Sequence, residues 1–181
     1  MVHAPLDVEL ESQPSMTTIR QPERPQQDLG AAANAGAMAG LAAGVALLLG
    51  LLALDLFQGQ DIWVSMKTAA APIIGARAFE PGFALGPILL GLVIHLATSA
   101  AWGAPFGMIC RNMGPNATVG MGLVWGLAVW MGMFRIALPL VGLGEMAGNV
   151  PTGRAIGEHL FFGVALAIAF LPYRRPDTLR I

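Results

Sequence analysis

Five ionisable side chains interrupt the long apolar stretches of this sequence, and they are its candidates for chemistry: Asp55, His95, Arg135, Glu158 and His159. A charged group in the bilayer core costs at least about 2.5 kcal/mol on insertion scales, so each needs a partner or a function. At 1.5 Å per residue, the helix order brings all five to the same half of a four-helix bundle. Such a polar cluster either fixes helix register or binds a proton, an ion or a small polar solute.

Arg135 and Glu158 are the natural partners in this cluster, because they fall on adjacent apolar stretches. A bidentate pair between a guanidinium and a carboxylate is strong where the dielectric is low. We therefore predict that Arg135 pairs with Glu158. The local alternative is Arg154, which precedes Glu158 by one helical turn.

The two intramembrane histidines raise the question of a cofactor. His95 and His159 could ligate a b-type haem, and with Glu158 they could bind a metal ion. Glu158 and His159 are adjacent, however, so their side chains point about 100° apart on a helix. We expect hydrogen bonding across the bundle, with no metal and no cofactor, and haem is the alternative.

The motifs of catalysis and of nucleic-acid binding are absent. The sequence has no GxSxG, HExxH, Walker or Rossmann pattern, and we predict no catalytic residue and no enzyme activity. Cys110 is the only cysteine, which excludes an intramolecular disulfide and a CxxC motif. The formal net charge of −1 gives no basic surface for nucleic acid.

Four apolar stretches must position these side chains. Hydrophobic residues make up 55% of the 181 residues and charged residues 12%, against about 25% charged residues in soluble proteins. A bilayer-spanning helix needs about 20 apolar residues. We predict an all-α polytopic membrane protein, a four-helix bundle, whose spans are residues 31–57, 83–110, 119–141 and 152–171.

The remaining segments are polar or short. Residues 1–28 are rich in proline and polar side chains and predict a flexible tail, followed by a membrane domain at 29–175 and a short tail at 176–181. Between the first two spans, Asp61 can cap a short helix over residues 62–71 that Pro72 would end. This helix would lie flat at the membrane interface or pack as a lid on the bundle.

Glycines at GxxxG spacing predict how the spans pack, because small residues allow close backbone contact in lipid. Both packing within the bundle and oligomerisation through the first span remain open. The candidate packing glycines are Gly36, Gly40, Gly44, Gly103, Gly107, Gly122 and Gly126.

Positive charges predict the orientation. Four spans place six arginines on the side of both termini and three basic residues on the other side. By the positive-inside rule, both termini face the cytoplasm. We expect a bacterial inner (plasma) membrane protein.

Three motifs carry a resemblance to a known family. They are IHLATSAAWGAPFG, GMGLVWGLAVWMGMFRIALPLVGL and AIGEHLFFG, in that order within residues 94–163. They resemble the YagU-like family of bacterial inner-membrane proteins, with His95 and Ser99 in one helix, Pro139 after the next, and Gly157, Glu158 and His159 opening the last. The resemblance covers the C-terminal half and implies no defined activity.

Together these patterns predict a small non-catalytic structural or accessory subunit. Its partners are the lipid bilayer and other membrane subunits or a second copy of the chain. The first alternative is transport of a proton, an ion or a small polar solute through the Arg135, Glu158 and histidine pocket. The second is a haem-binding electron carrier. A Soret band would favour the carrier, and co-purifying subunits would favour the accessory role.

Overall fold

The structure, a computed structural model, describes residues 28–174. The predicted tails at 1–28 and 176–181 lie outside this range, apart from Asp28. Every element in the described part is helical. Its α-helices are α1 (Leu29–Phe57), α2 (Ile62–Thr68), α3 (Ala71–Ile74), α4 (Leu85–Cys110), α5 (Pro115–Met131), α6 (Leu138–Leu140), α7 (Gly144–Asn149) and α8 (Thr152–Phe170).

Four helical stretches are long and apolar enough to cross a membrane, by length and composition. They are α1, α4, the stretch Pro115–Leu140 that joins α5 to α6 through a π-helical turn, and Thr152–Tyr173, which extends α8 by a 3₁₀ turn. This confirms the all-α fold with four spans. The first and third spans begin two and four residues earlier than predicted, because Asp28 caps α1 and Pro115 opens α5. The second span begins two residues later, at Leu85, and the fourth ends two residues later, at Tyr173.

The first close helix pair is formed by α1 and α4. A Cβ on Gly36 or Gly40 would collide with the backbone of α4, and a Cβ on Gly103 or Gly107 would collide with the backbone of α1. Gly44 faces Ser99, again on α4. These glycines therefore remove the side chains that would hold the two helices apart.

The second close pair is formed by α5 and α8. Gly122 lies against the backbone of Gly163, and Gly126 lies against the backbone of His159 and Leu160. All seven glycines proposed from the sequence thus lie at contacts within the bundle. Gly163 adds one that the GxxxG pattern did not reveal.

Aromatic side chains fill the space between the two pairs. Phe106 of α4 contacts Trp125 of α5 and Phe170 of α8, with ring centroids 6.0 and 5.9 Å apart. The Trp125 indole also donates a hydrogen bond to the carbonyl of Trp102, at 3.2 Å. At the same end, Arg174 donates to the carbonyl of Met113, so the end of α8 lies beside the α4–α5 link.

The segment between α1 and α4 folds onto the other end of the bundle. Asp61 caps α2 as predicted, accepting from the Trp63 N–H at 2.9 Å. The helix ends at Thr68, however, and Pro72 lies in the first turn of α3, where its missing N–H costs little. A Cβ on Gly91 of α4 would collide with the backbone of Met66, so α2 packs on the bundle as a lid.

Candidate functional site

A cluster of charges lies where α1 ends and α8 begins. Arg154 donates from Nε to Glu158 at 2.8 Å, and its Nη2 lies 3.7 Å from the Asp55 carboxylate. Ser65 of α2 donates to the other oxygen of Asp55. Asp55 is only 3% exposed, so its charge depends on these two partners. Two carboxylates share one guanidinium, which leaves the cluster with one net negative charge.

The predicted pair between Arg135 and Glu158 is not formed, because Glu158 is held by the local alternative, Arg154. Arg135 lies in the π-helical turn Gly132–Ala137, is exposed, and stacks over Trp130 at 5.9 Å. The sequence offers a cause for this turn: Pro139 cannot donate to the carbonyl four residues earlier, which is that of Arg135.

The π turn redirects Arg135. On an α-helix, two residues five apart point about 140° away from each other, whereas the wider π turn brings them closer to alignment. Arg135 can therefore reach Trp130, which lies five residues earlier. Phe134 packs against His159 of α8 instead, with ring centroids 5.6 Å apart.

The two histidines bond to different helices. His95 makes a hydrogen bond from Nε2 to the carbonyl of Gly44 on α1, at 2.9 Å. His159 bonds from Nδ1 to the carbonyl of Ala155, one turn earlier on α8, at 2.8 Å. Over residues 28–174, no three His, Cys, Asp or Glu side chains are grouped in a way that could hold a metal ion. The five predicted residues therefore do not form one pocket. Asp55 and Glu158 share Arg154, whereas Arg135 stacks over Trp130 and His95 bonds to α1.

No protein-family model, curated protein or solved structure matches the chain. Ser99 donates to the carbonyl of His95, one turn earlier on α4, at 2.8 Å.

The loop above the charged cluster contains a second set of polar contacts. Lys67 is 1% exposed and donates to the carbonyls of Glu80 and Gly82. Asp61 accepts from the Gly82 N–H as well as from Trp63, and these two backbone donors lower the pKa of its carboxyl. Both contacts tie α2 to the segment that leads into α4.

From the sequence, Arg154 was only the alternative partner of Glu158, and neither Arg154 nor Ser65 was predicted to contact Asp55. The contact between Arg154 and Glu158 was predictable from their spacing, because residues four apart share a helix face. The contact with Asp55 joins residues 99 apart in sequence, and it depends on which helices are neighbours.

Proposed function

We propose that this protein is a non-catalytic accessory subunit of a membrane complex, and that it binds a partner helix bearing a carboxylate. The observation that carries the proposal is the exposed Arg135 within the span Pro115–Leu140. Arg135 lies five residues before the end of that span, about 7.5 Å along the axis. A cation at that depth is costly unless a counter-charge meets it.

The direction of the Arg135 side chain supports a protein partner. A long basic side chain near a helix end can reach the interface and stay hydrated. Arg135 instead lies over Trp130, which is farther from the nearer end of the span. The exposed neighbours Leu127, Met131 and Ile136 are apolar and offer a surface for a second helix.

A different protein suits this surface better than a second copy of the chain. A symmetric contact through α5 would place two Arg135 side chains near each other, and like charges in low dielectric repel. The GxxxG glycines of α1 offer no alternative surface, because they face α4. A helix with an intramembrane Asp or Glu would neutralise Arg135.

Position-specific photo-crosslinking in native membranes tests this function. A photoreactive residue at Met131 or Ile136 should give one adduct with a distinct membrane protein, and one at Val93 on the exposed side of α4 should not. Arg135→Gln should abolish the adduct, whereas Arg135→Lys should retain it. The captured partner should carry an intramembrane carboxylate whose replacement by an amide also abolishes the adduct.

Two outcomes would contradict the proposal. Equal adducts from Met131 and Val93 would show unspecific collision in the membrane. Adducts of twice the chain's own mass that persist in Arg135→Gln would show self-association. Thermal melting of each variant distinguishes a lost partner from a lost fold.

The proposal also covers the membrane in which the protein lies and the side on which its termini lie. We place the protein in a bacterial inner membrane with both termini in the cytoplasm, where the YagU-like resemblance of residues 94–163 would also put it. The hydrogen bond between Arg174 and Met113 supports one shared end for Arg111 and Arg174. Lys67, Arg77 and Arg154 belong to the opposite end. A reporter that is active only in the periplasm, fused after the last span, should stay inactive, and activity there would reverse the orientation.

A further inference from the structure

A groove runs along the seam between α1 and α8. It consists of two neighbouring cavities of about 440 and 360 Å³, and Phe161 lines both. Both cavities are open along one side, so the groove faces the surroundings of the bundle. The first cavity owes its width to Gly50 and Gly157, which have no side chain to fill it. The second is lined mainly by alanines, among them Ala42 and Ala46.

The charged cluster forms one end of this groove. Arg154 and Glu158 line the first cavity, next to Leu54. Asp55 lies behind them and contacts Arg154. The Arg154 side chain remains 41% exposed although it bonds to both carboxylates, so a ligand in the groove can reach it. The groove is thus polar at the end of the span and apolar along its length.

The dimensions of the groove match one leaflet of a bilayer. Leu54 lies at its charged end and Ala42, twelve positions earlier on α1, at its far end, which is a rise of about 18 Å. The hydrocarbon core of a bilayer is about 30 Å thick, so one leaflet contributes about 15 Å. An acyl chain that follows the seam would have its headgroup at the level of Arg154 and Glu158.

We propose that this groove binds a phosphatidylethanolamine molecule, with one acyl chain along the α1–α8 seam and the headgroup on the charged cluster. Charge complementarity selects the headgroup. The groove presents the Arg154 guanidinium to a phosphate and the Glu158 carboxylate to a cation, and the buried Asp55 adds a second negative charge behind them. A primary ammonium supplies three hydrogen-bond donors to carboxylate oxygens. This site is separate from the Arg135 surface of α5.

Other lipids fit the cluster less well. The choline headgroup carries the same charges, but its quaternary nitrogen has no N–H to donate. Phosphatidylglycerol carries a net negative charge, which the net charge of the cluster repels. The discrimination between ethanolamine and choline therefore rests on a charge-assisted hydrogen bond to Glu158, which lines the groove.

Native mass spectrometry of the purified full chain tests the proposal. The protein is equilibrated in detergent micelles with equal amounts of phosphatidylethanolamine, phosphatidylcholine and phosphatidylglycerol of the same acyl chains. We expect about tenfold more bound phosphatidylethanolamine than phosphatidylcholine, as one charge-assisted hydrogen bond to Glu158 would give. Glu158→Gln should bring this ratio close to one.

A matched pair of glycine variants tests the groove itself. Gly157 lines the first cavity and Gly120 lies on α5, and a Cβ at either position meets nothing within 4 Å. Gly157→Leu should reduce bound lipid about tenfold by filling the groove, whereas Gly120→Leu should not. If Gly157→Leu proves unstable, the headgroup ratio in Glu158→Gln decides, because it is internal to one sample.

Three results would overturn the proposal. Equal binding of all three lipids would show that the charged cluster does not select the headgroup. A preference for phosphatidylglycerol would mean that Arg154 alone selects an anionic lipid. Unchanged binding in Gly157→Leu, with the fold intact, would place the lipid elsewhere on the bundle.

Discussion

Asp61 is a single carboxylate that joins both ends of the loop between α1 and α4. It caps α2 through the Trp63 N–H and accepts from the Gly82 N–H across the loop. These donors favour the charged carboxylate and so lower its pKa below the ordinary value of 3.8. The stabilisation is therefore present above pH 3.8 and is lost as the pH falls through the lowered pKa.

This titration predicts a local loosening in acid. Below pH 3.8, the hydrogen-exchange protection of the Trp63 and Gly82 amides should decrease, once corrected for the intrinsic exchange rate. Asp61→Asn keeps an oxygen that can cap α2 but has no proton to gain, so its protection should not change over this range. An equal acid-induced loss in Asp61→Asn would assign the effect to another group.

Some side-chain contacts could be predicted from the sequence and others could not. The cap at Asp61 was predictable, because an acidic residue directly before a run with helical periodicity is a common start signal. The position of Arg135 was not predictable in the same way. It depends on a π turn, and a proline such as Pro139 can be accommodated by a kink, a π turn or a local break.

The glycine seam of α1 and α4 makes a prediction about helix packing. Gly40→Ala should destabilise the protein by about 1–3 kcal/mol, because the added Cβ collides with the carbonyl of Ser99 and the two helices must separate. Gly120→Ala is the matched control on α5, where a Cβ meets nothing. This control should be neutral or slightly stabilising, since alanine is the better helix former. Thermal unfolding in detergent measures both.

If Gly120→Ala destabilised the protein more than Gly40→Ala, the close packing of α1 on α4 would be contradicted. A neutral Gly40→Ala would mean that α1 and α4 lie farther apart than the structure has them. The sequence predicted close packing from the GxxxG spacing, but that spacing does not name the partner helix. Gly163 shows the limit most clearly, because it contacts Gly122 without belonging to a GxxxG repeat.

At the scale of the whole fold, residues 28–174 form two helical hairpins that pack through an aromatic core. One hairpin is α1 with α4 and the other is α5 with α8, and Phe106, Trp125 and Phe170 fill the space between them. The number of spans followed from four apolar runs, since the bilayer fixes the length of such runs. Which helices are neighbours did not follow from the sequence, because apolar residues occur around most of each span and do not mark the face that packs on another helix.

This arrangement separates two roles for arginine. Arg154 pairs with both Asp55 and Glu158, and Arg135 lies exposed on the span Pro115–Leu140. Both the proposed partner surface and the proposed lipid site depend on that division. If Arg135 instead paired with Glu158, the α5 surface would have no charge to offer and the groove would have a different headgroup site.

Two double-mutant cycles of thermal stability compare these pairings directly. One combines Arg154→Leu with Glu158→Leu, and the other combines Arg135→Leu with Glu158→Leu, all in the full chain. We predict a coupling of about 0.5 kcal/mol or more for Arg154 with Glu158, and additivity within about 0.5 kcal/mol for Arg135 with Glu158. Coupling between Arg135 and Glu158, with additive losses for Arg154 and Glu158, would contradict the division of roles and the function proposed from it.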